Sequence, residues 1–137
     1  MKLVYQSLAY REDDEPERYG RYGERLRERL DGVSDADTSI EVRGTPSGAP
    51  GHSYRFAYQW GVCGVLANVA ALRDDPDVDA LVVGNFLDPG LWEAREVLSV
   101  PVTGLCESSL LVGCATADRL GILAWNEKQI PLYRDNI

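Results

Sequence analysis

The stretch Val82-Val83-Gly84-Asn85-Phe86-Leu87-Asp88-Pro89-Gly90-Leu91 narrows the choice of fold more than any other part of the chain. The apolar run from Asp79 to Val83 reads as a strand buried on both sides, the pattern of a parallel sheet. Asp88-Pro89-Gly90 then opens a helix carrying Trp92, Val97 and Leu98, with Asp88 as its expected N-cap. Val100-Pro101-Val102-Thr103 follows as a short strand. Parallel strands need a crossover between them, so this strand–helix–strand unit points to an α/β fold. In an open α/β sheet, ligands gather outside the carboxyl ends of the strands. Asn85 stands at such an end, beside a helix start whose free N–H groups suit a carboxylate.

The same alternation runs along the chain. Lys2 to Ala9 begins as a strand and breaks into the acidic loop Arg11 to Glu15. Pro16 starts a helix with Tyr19, Tyr22, Leu26 and Leu30 on its apolar side, and Gly32 stops it. Thr38 to Arg43 is a second strand, and Gly44 to His52 a loop dense in Gly and Pro. A long helix is expected from Ser53 to about Arg73, its Gly61, Gly64, Ala67 and Ala70 packing closely on the sheet. Cys106 to Ala117 reads as a helix, Arg119 to Trp125 as a fifth strand and Asn126 to Ile137 as the opening of another helix. The expected fold is α/β, a parallel sheet flanked by helices in three layers. Leu3 to Gln6, Ile40 to Val42, Leu81 to Gly84 and Val102 should lie in adjacent strands, with Gly121 to Ala124 in a second, incomplete sheet.

Composition excludes several function classes. With 22 acidic against 14 basic residues in 137, the net charge of −8 disfavours a nucleic-acid partner. No apolar stretch reaches the length of a membrane span, and with a strand expected at the N-terminus no signal peptide is expected. Three cysteines without paired spacing fit a reducing cytoplasm. His52 is the single histidine, so no metal site built from several His ligands is expected.

From Asp79 onward the residues resemble a known family. ALVVGNFLDPGLWEAREVLSVPVTGLCESSLL, followed by DRLGILAWNEKQIPLYRDNI, is similar to the aspartate/glutamate/hydantoin racemases, and within them to the hydantoin racemase branch. That branch carries a strand, a Cys-Phe-x-Asp-Pro-Gly loop and a Pro-Val-x-Gly-x-x-Glu segment. Here these read Asn85-Phe86-Leu87-Asp88-Pro89-Gly90 and Pro101-Val102-Thr103-Gly104-Leu105-Cys106-Glu107. The resemblance implies a two-lobed enzyme, with residues 1–104 as the first lobe and 105–137 as the start of a second. It implies proton transfer without a cofactor at a carbon alpha to a carboxylate or carbonyl, by two cysteines on opposite faces of the substrate. Inversion through a planar carbanion does need two such groups, each with a pKa near the working pH.

This chain departs from that pattern. Asn85 occupies the first cysteine's place, and an amide cannot take up a proton near neutral pH. Tyr5-Gln6-Ser7 stands where the family commonly has Asn-Pro-Asn, and Ala124-Trp125 where it has paired threonines. A second cysteine would belong to sequence beyond Ile137.

The catalytic set is thus undetermined, and Asn85 is read as orienting a substrate rather than as a base. Gln6 and Ser7 at the first strand's tip, with Asn85 and Phe86, are the candidate substrate-binding residues. Cys106, at a helix start beside Glu107, is a weaker candidate whose alternative is a small packed residue. Cys63 and Cys114 read as core, and His52 as a surface side chain. The expected ligand is a small carboxylate or carbonyl compound. Self-association is expected through helix faces that an unfinished second lobe would leave uncovered. The competing readings are a non-catalytic binding module and an inactive fragment.

Overall fold

The structure, a computed structural model, describes residues 1–8, 16–45 and 54–137. His52 and the loop at 11–15 lie outside the described residues. The chain alternates β1 (Lys2–Gln6), α1 (Pro16–Asp31), β2 (Ser39–Arg43), α2 (Arg55–Leu72), β3 (Ala80–Val83), α3 (Leu91–Val97), β4 (Val102–Gly104), α4 (Leu105–Thr116) and α5 (Ile130–Asp135). A 3₁₀ turn, Glu127–Gln129, leads into α5. The four strands form one parallel sheet in the order β2-β1-β3-β4. Leu3 pairs with Ile40 on one side and Ala80 on the other, and Leu81 pairs with Val102.

Strand alternation divides the core between the two faces of the sheet. Val4, Leu81, Val83 and Val102 point to one face, where Val65, Val69 and Leu72 of α2 and Leu91 and Ala94 of α3 cover them. Tyr5 and Val42 point to the other, packed with Leu26 and Leu30 of α1. All three layers of the α/β/α fold are therefore present, and the sequence's apolar periods account for each of them.

Two expectations about packing are corrected. Arg119 to Trp125 forms no strand. A strand needs hydrogen-bonding neighbours along its edge, and none of the described strands pairs with this segment. Leu123 is 98% and Trp125 85% exposed there. Cys63 and Cys114 are exposed rather than core, and so are Ala67 and Ala70. They stand on the outer faces of α2 and α4, because the inner face of α2 is already filled by Ala57, Tyr58, Gly61, Val65, Val69 and Leu72.

Candidate functional site

The chain moves from β1 to β2 on one side of the sheet and places β3 and β4 on the other. The order reverses between β1 and β3, and this is where α/β sheets open a crevice at their carboxyl ends. Gln6 and Ser7 leave β1 there, and Gly84 and Asn85 leave β3. The Gly84 N–H donates to the Gln6 carbonyl at 2.8 Å, which ties the two tips together. The Tyr5 hydroxyl donates to the Gly84 carbonyl at 3.2 Å, and burial, with Tyr22 adding to it, pushes that hydroxyl's pKa up to about 12. Residue 84 has to be glycine, because a Cβ would stand 2.0 Å from the Tyr5 ring.

Asn85 makes the turn out of β3. Its Oδ1 accepts from the Leu87 N–H at 3.0 Å, and its carbonyl accepts from the Asp88 N–H at 2.9 Å. The side chain thus closes its own loop through its oxygen, while among the described residues nothing accepts from its Nδ2. That leaves one half-buried amide donor at the strand tip. Phe86 packs its ring against Tyr133 of α5, centroids 6.1 Å apart. The Leu87 carbonyl accepts from Tyr58 Oη at 3.2 Å and Asn136 Nδ2 at 2.6 Å, so α2 and the end of α5 both hold the loop.

Asp88 does not cap α3. Gly90, in the left-handed region at φ 74°, is the N-cap of that helix. Asp88, itself at φ 45°, turns its carboxylate onto the first turn of α4 instead. Its Oδ1 accepts from the Cys106 N–H at 2.9 Å and its Oδ2 from the Glu107 N–H at 2.8 Å. The N-terminus of α4 is therefore already occupied by a carboxylate of the protein. Burial raises the Asp88 pKa, and the two backbone donors act against that rise.

Cys106 is fully buried behind this cap. Burial first, and then the Asp88 carboxylate, push its thiol pKa up. Cys106 is accordingly a neutral, packed thiol rather than a ready base. Glu107 forms a two-pronged pair with Arg95, which also donates to the Val102 carbonyl at 3.2 Å and lies 5.0 Å over the Trp92 ring. That hydrogen bond holds the Glu107 carboxyl below the usual range. Asp88, Leu91, Glu107, Leu111, Cys114 and Asn136 border an open cleft of about 410 Å³. Its Asp88 and Glu107 carboxylates are already partnered and no Lys or Arg among the described residues lines it, so the side chains offer no cation for a carboxylate there.

Gln6 and Ser7 sit at the tip as expected but are almost wholly buried, at 0% and 1% exposure. The Gln6 Nε2 donates to the Ser7 carbonyl at 3.1 Å and its Oε1 accepts from Asn68 Nδ2 at 2.9 Å. Asn68 also donates to the Gly44 carbonyl at 2.7 Å. Sequence reasoning missed Asn68, although an amide within the apolar run of α2 was a visible signal. It missed Tyr58, Tyr133 and Asn136 because nothing local links them to a loop so far away in sequence. Among the described residues no cluster of His, Cys, Asp or Glu could hold a metal ion, and no helix is long and apolar enough to cross a membrane.

Several known proteins are similar to this chain in sequence or in fold. Residues 21–137 match the family model described as Asp/Glu/Hydantoin racemase. A hydantoin racemase of Rhizobium meliloti is 34% identical over 74 residues, which are 54% of this chain and 30% of that protein. A hydantoin racemase of Pseudomonas sp. (strain NS671) is 40% identical over 50 residues, 36% of this chain and 20% of that protein. The allantoin racemase from Klebsiella pneumoniae superposes over 99% of this chain and 52% of its own, with a TM-score of 0.81 at 23% identity. That from Pseudomonas fluorescens covers 99% and 54%, with a TM-score of 0.82 at 18% identity. The chain thus spans about half the length of those structures, and they show its fold. With the family model extending over most of its length, the chain belongs to the Asp/Glu/hydantoin racemase family.

Proposed function

We propose that this chain supplies the carbonyl-orienting half of a cofactor-independent enzyme that moves a proton at a carbon alpha to a carbonyl or carboxylate, a one-base relative of the racemases and epimerases. The hydantoin and allantoin racemases it resembles suggest a small cyclic ureide as substrate. The observation that carries the reading is the Nδ2 of Asn85, without an acceptor among the described residues, at the strand tip beside the sheet's reversal point. Removing the alpha proton moves negative charge onto the adjacent oxygen, and a fixed amide donor stabilises that oxygen most when it is charged. Asn85 does not take the proton. The base is a group outside the described lobe, and Cys106 stays protonated behind Asp88. Gln6, Ser7 and Asn68 hold the β1 tip in place, and Phe86 walls the loop side.

With one base facing the reacting carbon, the proton returns to the face it left. Alpha-proton exchange with solvent deuterium then outruns inversion. The test is proton NMR of a 5-substituted hydantoin and of allantoin in D₂O, followed beside chiral chromatography, on the protein that contains this chain. Exchange with retention supports the reading, and inversion as fast as exchange overturns it. A non-catalytic binding module is the second reading, favoured by the missing ionisable group at position 85. It would bind the ureide and leave the alpha proton in place.

A further inference from the structure

The two peptides flanking Leu87 connect the end of α5 to the Asn85 amide. The Leu87 carbonyl and the Asp88 N–H belong to one planar peptide group. Its oxygen receives two donors, Asn136 Nδ2 at 2.6 Å and Tyr58 Oη at 3.2 Å. Its N–H donates to the Asn85 carbonyl at 2.9 Å. A peptide whose oxygen accepts hydrogen bonds is polarised and becomes a better donor at its nitrogen, so the bonds reinforce one another. The preceding peptide supplies the Leu87 N–H, which donates to Asn85 Oδ1 at 3.0 Å. Both oxygens of Asn85 are therefore set by peptides that meet at Leu87. Because the side-chain amide is planar, pinning Oδ1 also aims Nδ2.

Helix α5 is itself anchored over this loop. Leu132 is buried with the main core, the Tyr133 ring meets that of Phe86, and Asp135 pairs with Arg55 at 3.0 Å. Asn136 follows as the C-cap of the helix, its N–H donating to the Tyr133 carbonyl at 3.1 Å. Asn136 is exposed overall, so it adds little to the core, yet it makes the shorter of the two bonds to Leu87. Resting on the reading of Asn85 as the carbonyl-orienting donor, we infer that Asn136 is a positioning residue for the reaction. It touches no reacting atom. By holding the Leu87 carbonyl it keeps the Asn85 amide plane in the orientation in which Nδ2 meets the substrate oxygen. Tyr58 supports the same carbonyl from α2, where it also fills the core.

The test uses the protein that contains this chain, with Asn136→Ala, which opens no cavity, and Asn136→Gln, which keeps an amide donor. Asn85 side-chain NMR resonances, identified by their loss in Asn85→Ala, and hydrogen exchange at the Asp88 amide report the loop. The kcat and KM for alpha-proton exchange of a 5-substituted hydantoin in D₂O report the chemistry. Asn136→Ala should shift the Asn85 resonances, speed Asp88 exchange and lower kcat about tenfold, more than it raises KM, as misaligned transition-state donors do. Asn136→Gln should recover part of each effect. A merely structural contact would lower the melting temperature and leave the Asn85 resonances and kcat of the folded protein unchanged, which overturns the inference. Shifted resonances with an unchanged kcat overturn it as well. If the resonances shift but the parent exchanges no alpha proton, Asn136 still positions Asn85, and it is the chemical reading of Asn85 that fails.

Discussion

Gly104 and the Asp88 carboxylate occupy one space: a Cβ on Gly104 would lie 2.5 Å from Asp88 Cγ. The last residue of β4 is thus bare so that an acid from the β3–α3 loop can reach the helix that follows. Gly104→Ala should displace that carboxylate and cost the cap, about 1–2 kcal/mol on the scale of an N-cap loss. Asp88→Gly relieves its own positive φ but loses the same cap. The two changes together should therefore cost much less than their sum in urea titrations. Additive costs would show that Asp88 and Gly104 are not coupled.

Asp88→Asn keeps a residue type that tolerates positive φ and removes the negative charge beside Cys106. The Cys106 thiol should then ionise at lower pH than in the parent, while burial still holds it above an ordinary cysteine. The pH dependence of iodoacetamide labelling, read by mass spectrometry, measures this directly. In the parent protein the exposed Cys63 and Cys114 should label well before the buried Cys106. Equal rates at all three would mean that Cys106 is open to solvent.

The Arg95–Glu107 pair sets an acid limit. Because the Glu107 pKa is lowered in the folded chain, its contribution is present above the unfolded carboxylate value and is lost as pH falls through the lower folded value. Melting temperature should therefore decline below about pH 4.3, the ordinary Glu value. Glu107→Gln should flatten part of that decline and leave stability near pH 7 only slightly changed, since both side chains are about a third exposed. An unchanged acid limb in the variant would remove Glu107 from the account.

Asn85→Ala should weaken ligand binding by roughly 1–3 kcal/mol if the amide meets a carbonyl. The same change also removes the acceptor for the Leu87 N–H, so a stability measurement has to accompany the binding isotherm. Asn85→Cys should raise inversion relative to exchange, by placing an ionisable group on the second face. If Asn85→Ala leaves binding, exchange and inversion as they were, the amide is not in the site.

The apolar face of α4 gives a separate expectation. Leu111 and Val112 are 69% and 67% exposed, enough uncovered surface to bind an environment-sensitive dye. Leu111→Glu should reduce that fluorescence without moving the melting temperature appreciably. A parent chain that binds no dye would count against an uncovered α4.

The sheet, its helices and the location of the strand tips were legible because each rests on a local period or a local breaker. The apolar run before Gly84 and the three-and-four spacing in α1 needed nothing beyond their own residues. Arg119 to Trp125 failed for the opposite reason, since strand character there depends on a neighbour. Asp88 was misassigned because capping preference is read along the chain, whereas this carboxylate reaches across space to Cys106 and Glu107. Ala67 and Ala70 misled because a small side chain does not say whether it faces a sheet or water. Gln6 and Ser7 lie where their strand position put them, but their burial follows from Asn68 and Arg43, which no spacing connects to them.

The doubly held Leu87 carbonyl makes residue 85 exchangeable. Tyr58 and Asn136 fix the loop two residues beyond it, and Asp88 clamps its far end to α4. The side chain of residue 85 can therefore be changed, at the loss of its hydrogen bond to the Leu87 N–H, without rebuilding the route of the chain around it. A lineage with this scaffold could trade a proton-carrying residue for an orienting amide, or the reverse, in a single step. Its chemistry is then far easier to change than its shape.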